Sequence, residues 1–370
     1  MTLPIVRPQH PRLFDIDSYF DKALETGNVT NNGDHVQAFE AKLTELLGVP
    51  TICLNSGMSA LVAMLRAIDV VDMDVIVPSF TFAATPHAVI LAGGRPVFAD
   101  IDEQTLCLDP IAAERAITGR TTAIMGVDAY GLCWQPPKGW SAGGHIDVLI
   151  DSAPAFGSEI SGTNSYARAK AQVYSFHATK PFSTMEGGCL CSSDPTLIDR
   201  AKAIRNFGIG QDGKVEQIGI NGKMIEVCAI IGLKQLETWP ERRLARSVAE
   251  AALHDTLEEI RGIKLIKPPS NQMPIWTYMP ILVTDNFGVP RDIVVKKLHE
   301  KGIMVRQYYE PCHLMPAYQY NPKYPSGHVK LAVTEHIAEQ VIALPVYGDM
   351  KKKEINEISG ALRSIQKEYA

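Results

Sequence analysis

The chain has 370 residues, 46% hydrophobic and 21% charged, the balance of a folded protein with room for one large domain and a smaller companion. Lysine and arginine number 36 against 41 acidic residues, a net charge of −5 with no basic run or stripe, which argues against nucleic acid as a partner. No apolar run approaches a membrane span and the N-terminus does not read as a signal peptide; seven scattered cysteines without CxxC spacing point to reduced thiols in the cytoplasm.

Residues 1–30 read as an irregular, proline-bearing lead-in. Val36, Phe39, Leu43 and Leu46 recur at helical spacing, and Gly48 ends that helix. Thr51–Leu54 reads as a buried strand feeding the turn Asn55-Ser-Gly-Met-Ser59, which opens a helix over Ala60–Ile68. A strand, a turn of small residues and a helix leave free N–H groups at a positive helix end, which suits a phosphate. Strands follow at Asp74–Val77, Pro96–Ile101, Thr121–Val127, Ile146–Ile150, Tyr174–Phe176 and Cys189–Cys191. Helices lie between them, one running from after Phe82 to about Leu91. Asp109 caps another through Ile117, and a third spans Pro195–Asn206. Cys189 and Cys191 share one face of their strand and read as core. The alternation predicts an α/β fold with a mostly parallel sheet covered on both faces. After Asn221 the pattern changes: helices at Ile225–Leu236 and Glu241–Ile260, a strand at Trp276–Val283, a helix at Pro290–Lys301, a strand at Met304–Gln307 and a helix at Lys352–Glu368. These predict a smaller α+β unit from about residue 245, with the large domain at 1–244 and the small one at 245–370.

In such sheets ligands sit outside the carboxyl ends of the strands, and Ser56, Phe82, Asp151 and Lys180 fall at those ends. Lys180 precedes Pro181, so it sits at a strand-to-turn corner. There it is either an ordinary surface lysine or a buried amine of lowered pKa able to form a Schiff base. Asp151 follows Val148-Leu-Ile150 and is either a cap or ion-pair partner, or the acceptor for a protonated heterocyclic nitrogen. Pyridoxal phosphate needs a lysine, an acidic partner for its ring nitrogen, an anion site and a flat apolar contact. Lys180, Asp151, the Ser56–Ser59 turn and Phe82 are placed to supply them.

Eight motifs then occur in a fixed order. They are Asn55-Ser-Gly-Met-Ser-Ala-Leu61, Val75-Ile-Val-Pro-Ser-Phe-Thr-Phe-Ala-Ala-Thr85, Gly94-Arg-Pro-Val-Phe-Ala-Asp-Ile-Asp102 and Asp151-Ser-Ala153. Ser175-Phe-His-Ala-Thr-Lys180, Glu186-Gly-Gly188, Gly219-Ile-Asn-Gly-Lys-Met224 and Tyr308-Tyr-Glu-Pro-Cys-His313 complete the set. With them the chain resembles, over nearly its whole length, the DegT/StrS family of nucleotide-sugar aminotransferases, fold type I pyridoxal-phosphate enzymes. The resemblance implies transfer of an amino group from L-glutamate to a keto carbon of a nucleotide-linked keto-deoxy sugar. It favours C4 of a dTDP-4-keto-6-deoxyhexose, in amino-sugar biosynthesis for polysaccharide such as lipopolysaccharide O-antigen or for glycosides. It implies that Lys180 forms the Schiff base and Asp151 holds the pyridine nitrogen. Gly57, Met58, Ser59 and Ser175 would bind the phosphate and Phe82 would stack on the ring. Asn221 would reach the phosphate of the neighbouring subunit, so that a homodimer shares its active sites. His313 and Lys223 are implied on the substrate side.

Several positions depart from the family's usual pattern. Met58 stands where threonine is common, Pro154 where Gln or His is usual, Asp128 where histidine is frequent, and Gly222-Lys223 where Tyr-Arg is common. A dehydratase or deoxygenase on the same fold is a competing reading, though such enzymes carry histidine at the position of Lys180. A non-catalytic regulatory homologue is the third, and the intact Lys180/Asp151 pair counts against it.

Overall fold

The computed structural model describes residues 2–9, 16–140, 144–163, 165–319 and 329–369. In chain order its strands are β1 (Thr51–Leu54), β2 (Asp74–Pro78), β3 (Arg95–Ala99), β4 (Thr121–Val127), β5 (Asp147–Asp151) and β6 (Glu159–Ile160). They continue as β7 (Ala171–Ser175), β8 (Gly188–Cys191), β9 (Ile263–Leu265), β10 (Gln272–Met273), β11 (Met279–Val283) and β12 (Val341–Leu344). The first helices are α1 (Ile16–Thr26), α2 (Asp34–Leu47), α3 (Gly57–Ala67), α4 (Ala84–Leu91), α5 (Pro110–Arg115) and α6 (Pro195–Arg205). After them come α7 (Glu226–Glu258), α8 (Arg291–Glu300), α9 (Pro316–Gln319), α10 (Ala332–Gln340) and α11 (Lys352–Tyr369).

A seven-stranded sheet in the order β1-β8-β7-β5-β4-β2-β3 carries the large unit. The pairings from β3 through β2, β4 and β5 to β7 are parallel, and β8 runs antiparallel to both β7 and β1. This is the α/β architecture that the alternating pattern implies. Its strands are apolar at nearly every position because both faces are covered. The two-residue period sorts them: Val75, Val77, Ala123, Met125, Leu149 and Val173 join α3, α4 and α6 in one core. Ile76, Ile124, Val148 and Ile150 face the other way, into the core shared with the second half of α7 and the three-stranded sheet β12-β11-β9.

The α3 and α6 helices begin on side-chain caps. Ser56 Oγ accepts from the Ser59 amide, and Asp194 accepts from the amides of Thr196 and Leu197 ahead of Pro195. Gly48 closes α2 in the left-handed conformation, φ 66°, as a C-terminal glycine does.

The structure departs from the sequence pattern at several places. The lead-in carries α1, and Leu3 bridges to Ile303. The two helices expected around residue 240 are one, α7, which runs through Pro240. Proline inside a helix costs about 3 kcal/mol. That cost is offset because both flanks are pinned: Trp239 packs on Phe156 and Phe182, and Leu253 and Leu257 are fully buried. Residues 304–307 form no strand; Arg306 makes only an isolated bridge to Ala343. α10 and β12 form where no element was expected, β12 because Val341–Leu344 is an apolar run that completes the small sheet.

Gly126 on β4 lies against the Trp134 ring: a Cβ there would fall 2.0 Å from a ring carbon. Trp134 cannot retreat, since its indole N–H donates to the Leu108 carbonyl (2.9 Å) and its amide to Asp128 (2.7 Å). Gly126→Ala should therefore lower the stability by about 1–3 kcal/mol, read as a drop in the urea midpoint; an unchanged midpoint would contradict this packing.

Candidate active site

The strand period places the reacting groups. Asp151 follows Leu149 by two residues on β5, and Ser175 follows Val173 by two on β7, so both side chains emerge on the α3/α4 face. The chain leaves β7, turns with the Lys180 amide on the His177 carbonyl (2.9 Å), and presents Lys180 ahead of Pro181. A cavity of about 380 Å³ opens there, lined by Gly57, Met58, Phe82, Asp151, Ser175 and Lys180 among others. Six of the residues expected from the sequence thus meet in one place.

The floor is built for an anion. Gly57 and Met58 are the first residues of α3, whose leading amides have no partner within the helix. A Cβ on Gly57 would come 2.8 Å from Ser175 Cβ, so only glycine lets the helix end sit against the Ser175 hydroxyl. Ser59 stands one step back: its amide donates to Ser56 Oγ (3.1 Å), and the two hydroxyls lie 3.0 Å apart. Met58 supplies its backbone to this end and packs its side chain partly into the α3 core.

Asp151 is 4% exposed, and burial pushes its carboxyl above the ordinary carboxylate range. That rise is opposed by the Thr85 hydroxyl donating to Oδ2 (2.7 Å), the Ala153 amide donating to Oδ1 (3.0 Å) and the charge of Lys180. Lys180 is half-buried, and the enclosure of its amine lowers its pKa despite the pull of Asp151. The roof is aromatic. Tyr308 stacks on Tyr309 at 5.3 Å and meets Phe82 edge-on at 6.4 Å and Tyr278 at 5.8 Å. Phe82 is 58% exposed toward the open side, where a flat ligand could lie against it. Burial pushes the Tyr278 phenol up to about 12, so it stays protonated.

Three further residues named from the sequence do not line this chain's cavity, and of these Asn221 was expected at the site of a neighbouring subunit. His313 does not line the cavity. It is fully buried, with Nδ1 2.6 Å from Ser79 Oγ and Nε2 3.4 Å from Glu335, tying the segment between β11 and β12 to the end of β2. Its apolar neighbours Pro311 and Cys312 carried that signal. Asn221 and Lys223 sit on a segment clamped beside β1 and α6, with the Asn55 amide on the Gly222 carbonyl at 2.8 Å. Their side chains pair outside this chain's cavity, Lys223 Nζ donating to Asn221 Oδ1 at 2.8 Å.

Two of the departures lie close to Asp151. Asp128 is fully buried and forms an ion pair with Arg168 at 2.6 Å, while its amide donates to the Asp151 carbonyl at 3.0 Å. A carboxylate is tolerated there because Arg168 neutralises it. Pro154 lines the cavity, and its carbonyl accepts from the Thr277 hydroxyl at 2.8 Å. Among the described residues no cluster of His, Cys, Asp or Glu could hold a metal, and all seven cysteines are buried and unpaired. Thr85 and Tyr278 were missed from the sequence because each sits in an apolar run that reads as core, and Tyr309 because a tyrosine between polar neighbours gives no periodic signal.

A match to the DegT/DnrJ/EryC1/StrS aminotransferase family spans residues 14–363. The chain belongs to that family. It is 34% identical over 366 residues to a dTDP-4-amino-4,6-dideoxy-D-glucose transaminase of Shigella dysenteriae, covering 98% of each chain. The solved structure of DesI in the presence of its TDP-sugar product superposes with a TM-score of 0.90 at 30% identity, covering 99% of this chain and 93% of that one. NtdA of Bacillus subtilis, solved with bound pyridoxamine phosphate, gives 0.83 at 26% identity over 95% and 81%. The protein is thus a pyridoxal-phosphate-dependent aminotransferase. The residues present fit that cofactor: an amide-rich cup that a Cβ would fill, a buried carboxylate and a lysine of lowered pKa.

The Lys180 amine should lose its proton below the ordinary lysine value near 10.5, because burial outweighs Asp151. Competitive acetylation of the cofactor-free protein across pH reads this midpoint, and Asp151→Asn should lower it further by removing the neighbouring anion. A midpoint at or above the ordinary value would contradict the enclosure.

Proposed function

We propose that this aminotransferase moves the amino group of L-glutamate to a keto carbon of a nucleotide-linked keto-deoxy sugar, with C4 of a dTDP-4-keto-6-deoxyhexose as the best match. The observation that carries it is the meeting of Lys180, Asp151 and the α3 end on one cavity. The substrate class is supported by the relative named a dTDP-4-amino-4,6-dideoxy-D-glucose transaminase, matched over 98% of the chain. The product would serve amino-sugar biosynthesis, lipopolysaccharide O-antigen among its destinations, and seven unpaired cysteines suit a cytoplasmic enzyme.

When bound, pyridoxal phosphate supplies an electron sink and a store for the amino group between the two halves of the reaction. The α3 amides and Ser175 would hold its phosphate, Asp151 its ring nitrogen and Phe82 a ring face. Lys180 Nζ would anchor it and then, with its lowered affinity for a proton, serve as the base that takes the proton from the donor's α-carbon. Tyr278, Tyr308 and Tyr309 wall the cavity on one side of that amine. Its donors and the Lys180 charge oppose the burial that raises the proton affinity of Asp151. A neutral amide would no longer favour a protonated ring nitrogen, so Asp151→Asn should retain cofactor yet lose most turnover. A variant that turns over like the parent would reduce Asp151 to a structural group.

Asn221 and Lys223 do not line their own chain's cavity, and they lie on a stretch of chain where Phe207, Val215, Ile218 and Ile225 are exposed. We take that segment as the arm that completes the site of a second copy, Asn221 reaching the partner's phosphate. Keto-sugar nucleotides assayed with glutamate test the reaction, and Lys180→Ala should abolish it. Mixing Lys180→Ala with Asn221→Asp under subunit exchange should restore about a quarter of parental activity, since half the dimers carry one sound site. No recovery, with exchange confirmed, would place Asn221 in its own chain's site.

A further inference from the structure

The Asp151 carboxylate ends a directed chain of hydroxyls. Thr85, on the first turn of α4, is fully buried and donates to Asp151 Oδ2 at 2.7 Å. A hydroxyl has one proton, so Thr85 Oγ1 can only accept from its other neighbour, Thr81 Oγ1 at 2.9 Å, which must donate. Thr81 is 2% exposed and borders the cavity. The Thr81 carbonyl is itself occupied by the Cys312 thiol at 3.3 Å, which fixes the residue from the far side. The Ala153 amide holds the other carboxylate oxygen at 3.0 Å, so both oxygens have a fixed donor in the protein.

We propose that Thr85, held by Thr81, is a positioning residue that keeps the Asp151 carboxylate ionised and aimed at the ring nitrogen of the cofactor. A hydrogen bond to the charged form of a carboxylate favours that form, and hydroxyls bonded in series polarise one another. Asp151 stands against strong burial, and Asp128 adds a second negative charge nearby that Arg168 balances. Without the Thr85 hydroxyl, the balance tips toward a neutral acid that no longer pairs with a protonated ring nitrogen. Thr85 is fully buried behind Asp151 and does not line the cavity, so it acts through Asp151.

This inference rests on the role proposed for Asp151, and the test separates the two. Full-length protein freed of cofactor is titrated with pyridoxal phosphate and with its 1-deaza analogue, in which carbon replaces the ring nitrogen. The ratio of the two dissociation constants isolates the nitrogen contact. The parent should prefer pyridoxal phosphate. Thr85→Val, which keeps the shape and removes the hydroxyl, should shrink that preference by roughly tenfold or more, the worth of a hydrogen bond to a charged group. Thr85→Ser should keep it, and Thr85→Ala reads the same bond if the valine variant fails to fold. A Thr85 variant without the hydroxyl that weakens both ligands equally, or leaves the ratio unchanged, would overturn the role of Thr85 alone. A parent with no preference would overturn the role of Asp151 as well.

Discussion

Two opposite charges are brought out of water at the carboxyl edge of a parallel sheet, and neither is comfortable there. Burial raises the affinity of Asp151 for a proton and lowers that of Lys180, so in the cofactor-free chain each leans toward its neutral form. Their mutual attraction offsets part of this, and Thr85 and the Ala153 amide offset more on the acidic side. A ligand carrying an aldehyde, a basic ring nitrogen and a phosphate engages both groups at once. The fold can be read as what is needed to hold this pair apart from water and from each other.

The rest of the architecture serves that placement. The two-residue period of β5 and β7 sends Asp151 and Ser175 to one face, and the close approach of Gly57 to Ser175 sets the end of α3 against them. α4, packed on the same face, contributes Thr85. The small sheet is joined to the large one through α7, whose helix survives Pro240 because both of its halves are buried. Tyr278, just ahead of β11, and Tyr308 and Tyr309 beyond α8 then close the cavity from the side of the small sheet.

Much of this was legible in the sequence because strand, turn and helix signals repeat with unambiguous punctuation between residues 34 and 206. The strand at Thr121–Val127 and the cap at Asp109 agree with the structure to the residue. Legibility fell where tertiary contacts override local preference. Pro240 reads as a break, yet packing carries the helix through it. Residues 304–307 look like a strand but find no ladder to join. The bonds of His313 to Ser79 and Glu335 could not be read from the sequence, because both partners are distant in the chain or lie on an unforeseen helix. Thr85 was unreadable for a different reason: one hydroxyl in an apolar helix carries no periodic signal, and its importance lies in facing Asp151, 66 residues further along the chain.

The central claim is that the lysine at the end of β7, and no other, binds the cofactor covalently. Protein incubated with pyridoxal phosphate, reduced with borohydride and digested should carry the cofactor's mass on the single peptide containing Lys180. A label on a different lysine, or none above that of denatured protein, would contradict the account.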